Sequence, residues 1–230
     1  MSRRRTSQQQ QFRFRTWGGK RRRTGRKPKG LRAGVPHVAR PLHVDRHPVH
    51  ITLRARRQLP SLRKQSVFLA VRGALSQASR AAFRIVHFSV QVDHVHLLVE
   101  ADDKLRLSRG MSGLAIRVAR AVNGLLHRHG AVWADRYHAH VLRTPREVRH
   151  GLVYVLMNLR KHAPARADLD PCSSVFWFRG WNEDVELEEP PGWTAGDGPP
   201  VAAAETWLLT AGWRRLGLID PREQPASRPA

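Results

Sequence analysis

Cysteine is nearly absent from this chain of 230 residues: Cys172 stands alone. One thiol excludes an internal disulfide framework and any metal site built on several cysteines. Acidic residues are also scarce, 18 against 41 Lys and Arg, which leaves a net charge of +23. A field of that sign attracts nucleic acid or an anionic surface and suits a small neutral substrate poorly. Long apolar runs are missing, and none approaches the roughly 18 residues of a membrane span. The Arg- and Gln-rich N-terminal stretch has no apolar segment, so a secretory signal is not expected there. Tyrosine is rare as well, with only Tyr137 and Tyr154. What is present is a 41% hydrophobic content, enough for a core. A cytoplasmic or nucleoid-associated protein is expected.

The charge is unevenly spread. Residues 1–40 hold 14 basic and no acidic residues, residues 41–163 hold 21 and 7, and residues 164–230 hold 6 and 11. This pattern divides the chain into a basic arm (1–40), a basic body (41–163) and an acidic tail (164–230). The arm has few large apolar side chains and is expected to be disordered when free. Within it, Thr24–Gly30 reads either as an AT-hook-like segment for a narrow minor groove or as a solvated polybasic stretch. Arg21, Arg22, Arg23, Arg26, Lys27 and Lys29 are its candidate DNA contacts.

The body alternates strand and helix patterns. Val49–Leu53 reads as a strand. A helix is expected from Pro60 and Ser61 to about Ala82, and a second strand from Arg84 to Gln91. The third strand lies in Gln91-Val-Asp-His94-Val-His96-Leu-Leu-Val-Glu100. Leu107–His129 reads as a long helix stopped by Gly130, and Trp133–Leu142 as a fourth strand. Thr144-Pro145-Arg-Glu147 is a capping box with proline in the first turn, opening a helix to about His162. The order β-α-β-β-α-β-α predicts an α+β class, a ferredoxin-like or RRM-like split βαβ with an antiparallel sheet and an added C-terminal helix. Beyond it come an aromatic segment (Pro171–Trp181), a Pro/Gly linker (190–200) and one amphipathic helix over Ala203–Leu216.

Side chains in a strand alternate faces, so His94 and His96 point the same way and read either as half of a divalent-metal site or as two solvated or core histidines. On the last body helix Tyr154 and Asn158 are four apart and share a face. His150 belongs to the same polar stripe and reads as solvated or phosphate-contacting. Arg160 and Lys161 are further candidates for contact with DNA and for promoting ionisation of the tyrosine. Trp133, Tyr137 and Phe88 offer stacking faces for bases, with core packing the stronger reading for Phe88.

The stretches Pro48–Arg54, Phe88–Glu100, Val132–Leu142 and Arg146–His162 together resemble the single-tyrosine HUH transposases, and most closely the REP-associated tyrosine transposases. The resemblance covers about residues 41–163. It implies that His94, His96 and Asn158 bind Mg²⁺ or Mn²⁺, and that Tyr154 is the nucleophile. It further implies nicking and strand transfer on single-stranded, hairpin-bearing DNA through a 5′-phosphotyrosine, by a monomer or homodimer. Leu159 stands where the family usually has proline, and Ala163 near the position of a usual glycine. Two other readings remain: a domesticated protein that binds DNA without cutting it, and an RNA-binding ferredoxin-like module. The latter would carry aromatic residues on its central strands, where this chain has histidines.

Overall fold

Strand β1, Val49–Arg54, sets the frame because its alternation is strict: Val49, Ile51 and Leu53 are buried on one face, and His50, Thr52 and Arg54 fall on the other. The computed structural model describes residues 43–162, 169–185, 190, 192–193 and 198–225, with the side chains of 161 and 162 left out. The basic arm therefore lies outside the described residues. After β1 come α1 (Gln65–Ser76), β2 (Phe83–Val90), β3 (His94–Ala101), α2 (Lys104–Leu125), β4 (His138–Val141), α3 (Pro145–Leu156), α4 (Asn158–His162) and α5 (Trp207–Thr210). The sheet order is β2-β3-β1-β4 and every neighbouring pair is antiparallel. This is the split βαβ arrangement the sequence pattern predicts. No helix among the described residues is long and apolar enough to cross a membrane.

Several boundaries differ from the sequence reading, each for a local reason. Helix α1 starts at Gln65 because the preceding turn is tied elsewhere. The Leu62 amide donates to Val92 O at 2.9 Å, and Arg63 Nη1 donates to Val90 O. Helix α2 starts at Lys104, where Asp103 caps the Arg106 amide at 2.6 Å. It ends at Leu125 rather than His129, because Asn123 folds over the exit turn and donates to Gly130 O. Strand β4 has only four residues. Trp133 makes an isolated bridge with Ala55, and its indole N–H donates to Ala115 O on α2. Helix α3 opens on the expected capping box, with reciprocal Thr144 and Glu147 bonds.

Two apolar layers flank the sheet. One joins Ile51, Leu53, Val95 and Leu97 to α1 and α2. The other joins Leu98 and Val86 to Val148, Leu152, Val155 and Leu156 of α3. That second layer is closed by Val175, Phe178, Leu208, Leu209, Trp213 and Ile219. The described residues between 169 and 225 thus pack into the fold. At about 2 kcal/mol per buried side chain, these six contribute on the order of 10 kcal/mol. That is comparable with the whole stability of a domain.

Polar clamps hold the C-terminal segment down. Arg63 makes a bidentate pair with Asp170 at 2.7 and 2.8 Å. The fully buried Glu100 carboxylate accepts from the amides of Glu205 and Thr206, both at 2.9 Å, and pairs with Arg84. Arg149 on α3 pairs bidentately with Glu223 and donates to Gly217 O and Leu218 O. The helix expected over Ala203–Leu216 shortens to α5 followed by a 3₁₀ turn at Gly212–Leu216. Glu100 takes the amides just before α5. A side chain at Gly212 would meet the Trp207 ring at 2.7 Å, so glycine is needed where α5 gives way to that turn.

Candidate active site

Strand β3 places His94 and His96 on the sheet face opposite α1 and α2. Their ring centroids are 4.6 Å apart and the rings are nearly perpendicular, at 86°. His94 Nδ1 is 2.6 Å from Asp93 Oδ1. An ionised carboxylate only accepts, so Nδ1 carries the proton and Nε2 keeps its lone pair for a metal. Asp93 is itself paired with Arg54 at 2.7 Å. Partial burial would raise the Asp93 pKa, but the His94 bond and the Arg54 charge outweigh it and hold the carboxyl below its usual value.

His96 is buried, at 4% exposure. Its Nδ1 is 3.1 Å from Thr52 Oγ1 and 3.2 Å from His50 Nε2. Both partners come from β1, where the alternation aligns positions 50 and 52 on this face. His50 stacks on His96 with centroids 5.2 Å apart. Burial, and then the nearby His140 and His138, push the His50 pKa down to about 4. It is therefore neutral near pH 7 and can accept from His96.

Helix α3 brings Tyr154 over the pair. Its ring is edge-on to His96 at 5.0 Å and to His50 at 5.4 Å. The phenol is thus held beside the histidine cluster by two β strands and one helix. His150, one turn earlier, is exposed.

Asn158 departs from its sequence reading. The helix breaks at Met157, so Tyr154 and Asn158 do not share one uninterrupted helical face. Asn158 is fully buried, and neither Oδ1 nor Nδ2 has a hydrogen-bond partner among the described residues. A buried amide without partners is costly, roughly 1–3 kcal/mol. Among the described residues no three His, Cys, Asp or Glu side chains converge to hold a metal. The two imidazoles on one face are nitrogen donors of the kind a divalent cation takes, and the Asn158 amide oxygen, without a donor among the described residues, is an oxygen ligand of the same kind.

The remaining candidates divide. Arg160 is buried at 5% exposure, so it belongs to the interior and not to a DNA-facing surface. The Lys161 side chain and Arg21, Arg22, Arg23, Arg26, Lys27 and Lys29 lie outside the described residues. Phe88 is fully buried in the core and offers no stacking face. Trp133 and Tyr137 line a cavity of about 280 Å³ beside α2, on the other side of the sheet. Sequence patterns do not single out Asp93, His50 or Thr52. Asp93 adjoins the histidine motif, and the His50-x-Thr52 alternation is the available signal on β1.

Residues 43–148 match the family described as IS200-like transposase. No curated protein matches the chain. Among solved structures, the chain is similar to a REP-associated tyrosine transposase bound to a REP hairpin. The TM-score is 0.52 at 19% identity, over 68% of this chain and 96% of that one. At this identity the likeness is one of fold.

Proposed function

We propose, taking the IS200-like transposase match of residues 43–148 as premise, that this protein nicks and rejoins DNA through Tyr154. The observation that carries the reading is the Tyr154 ring set edge-on to His96 at 5.0 Å, with His94 beside it. In the reaction Tyr154 Oη attacks a backbone phosphorus. The new O–P bond forms as the bond to the 3′ oxygen breaks. The phenolic proton is lost and the departing 3′ oxygen gains one, leaving a 5′-phosphotyrosine and a free 3′-hydroxyl. One ester replaces another, so the strand can be rejoined without an external energy source.

His94, His96 and Asn158 would hold Mg²⁺ or Mn²⁺, which supplies charge neutralisation at the non-bridging phosphate oxygens. Asp93 fixes the His94 tautomer through Nδ1. Thr52 and the neutral His50 do the same for His96. Helix α3 sets the direction from which the phenol approaches. The substrate is single-stranded DNA bearing a hairpin, as the hairpin-bound structural relative suggests. The chain works in the cytoplasm at the nucleoid.

The test mixes the full chain with a hairpin-bearing oligonucleotide and Mn²⁺, then resolves adducts on a denaturing gel. A covalent adduct should form. Tyr154→Phe should abolish it while DNA affinity stays nearly unchanged. Loss of the adduct in Tyr137→Phe instead would assign the wrong nucleophile. Absence of any adduct with the wild-type chain favours a protein that binds DNA and no longer cuts it.

A further inference from the structure

Gln91 closes the hairpin that carries the two histidines. Its backbone N–H donates to His94 O at 2.8 Å, so Gln91 and His94 face each other across the turn Val92-Asp93. Facing residues of an antiparallel pair project to the same side of the sheet, with Cβ atoms roughly 5 Å apart. The alternation of β2 agrees. Phe88 and Val90 enter the layer that holds α1 and α2, which sends Ser89 and Gln91 to the other face. Ser89 is the register partner of His96. Ser89 and Gln91 therefore flank His96 and His94 from the β2 side, as Thr52 and Arg54 flank them from the β1 side.

Glutamine is mostly an exposed residue, yet Gln91 is buried at 4% exposure. Its Nε2 donates to Ser89 Oγ at 2.7 Å. Ser89 lies two residues back on the same strand, so this bond lays the amide along β2. Among the described residues nothing donates to Gln91 Oε1. A buried amide oxygen without a donor is costly. Asn158 shows the same deficiency. Two buried amides, one just past α3 and one across the turn from His94, thus each keep an oxygen that no described group satisfies.

The two oxygens serve one ion in different ways. Mg²⁺ takes near-octahedral geometry and keeps several waters, so His94, His96 and Asn158 leave positions that water fills. Water polarised by a dication is a strong hydrogen-bond donor, and an acceptor such as Gln91 Oε1 is what it lacks on the β2 side. We propose that Gln91 is a positioning residue for the cation, its Oε1 accepting from a water on that side of the ion. The inference rests on the reading of His94, His96 and Asn158 as cation ligands. With water tethered toward β2, the side toward β1, where the His50 and Tyr154 rings meet, is left for the phosphate.

The test titrates Mn²⁺ into the full chain, with the free ion followed by electron paramagnetic resonance and thermal melts in EDTA as the control on folding. Gln91→Met keeps the length of the side chain and removes both polar atoms. It should weaken Mn²⁺ binding roughly 10–100-fold, the usual loss for an outer partner at a metal site, without lowering the melt in EDTA. Gln91→Glu keeps an acceptor and gives up the N–H donor. It should bind Mn²⁺ at least as tightly as the wild type and melt lower in EDTA, where its carboxylate is buried without a cation. Unchanged Mn²⁺ affinity in Gln91→Met overturns the proposal and leaves the cation reading standing. Equal losses in both variants also overturn it, since Gln91 would then act only through its bond to Ser89. If Gln91→Met does not fold, weaker binding by Gln91→Glu is the overturning result. A wild-type chain that takes up no Mn²⁺ fails the cation reading and this inference with it.

Discussion

Replacing Asn158 by leucine should make the metal-free protein more stable, the reverse of most core substitutions. The two side chains branch at the same atom and match in heavy-atom count, so the packing change is small. The amide is fully buried and has no hydrogen-bond partner for either polar atom among the described residues. Removing it relieves a desolvation cost of roughly 1–3 kcal/mol. For a domain of this size that corresponds to a rise in melting temperature of roughly 2–12 °C. Saturating Mn²⁺ should close or invert the gap. A ligand at 100 times its Kd adds about 2.7 kcal/mol to a protein that binds it, and only the wild type keeps the amide oxygen. The assay is a pair of thermal melts, in EDTA and in Mn²⁺, on both proteins. A leucine variant that is less stable in EDTA by more than about 1 kcal/mol refutes the reasoning. So does equal stabilisation of both proteins by Mn²⁺.

Other outcomes follow from the same geometry. His94→Ala and His96→Ala should each remove adduct formation and weaken Mn²⁺ binding, while full activity in EDTA would refute the metal role. Thr52→Val should cost roughly 10–100-fold in Mn²⁺ affinity, the usual penalty for losing a group that orients a ligand; unchanged affinity by titration would show that Thr52 does not orient His96. Deleting residues 1–40 removes 14 positive charges and should lower duplex affinity and its salt slope, while cleavage of saturating hairpin DNA persists; loss of cleavage in the folded truncation would place the arm in the active site. His87, buried against Ser174 Oγ and the Phe178 ring, has its pKa lowered by burial from 6.5 to about 4. Between those values the unfolded chain takes up a proton that the folded chain does not. Stability should therefore fall as pH drops from 6.5 to 4, by on the order of 3 kcal/mol. His87→Gln should reduce that limb by about half, because His50 carries the same lowered pKa and keeps its share, and an unaltered limb in urea titrations would assign the acid sensitivity elsewhere.

The strand alternation of His94 and His96, the Tyr154 stripe and the capping box at Thr144 were legible because each is a local pattern. The sheet order was legible from the succession of elements. His50 and Thr52 were not, because their role depends on which strands are neighbours. Asn158 reads onto one continuous helix, since nothing in its immediate sequence announces the break at Met157. Arg160 reads as a surface residue by its charge alone, and only the packed fold reveals it as buried. The segment 169–225 looks like a tail because its apolar residues are scattered between turns. Val175, Leu208 and Trp213 have no common period, and they become one surface only when laid against α3.

The clamps on α3 bear on the order in which a ribosome delivers this molecule. Synthesis proceeds from the N-terminus, and domains fold as they emerge. Residues 1–40, with their 14 positive charges, come out before any strand of the sheet. The helix bearing Tyr154 appears well before Glu223, its partner 74 positions after Arg149, and before Thr206, which the Glu100 carboxylate awaits over 106 positions. Until those last segments are released, the second apolar layer is open and α3 has nothing to press it against the sheet. A nascent chain therefore carries its most basic segment before the helix bearing Tyr154 is seated, and the final fifth of the polypeptide completes the packing of that helix.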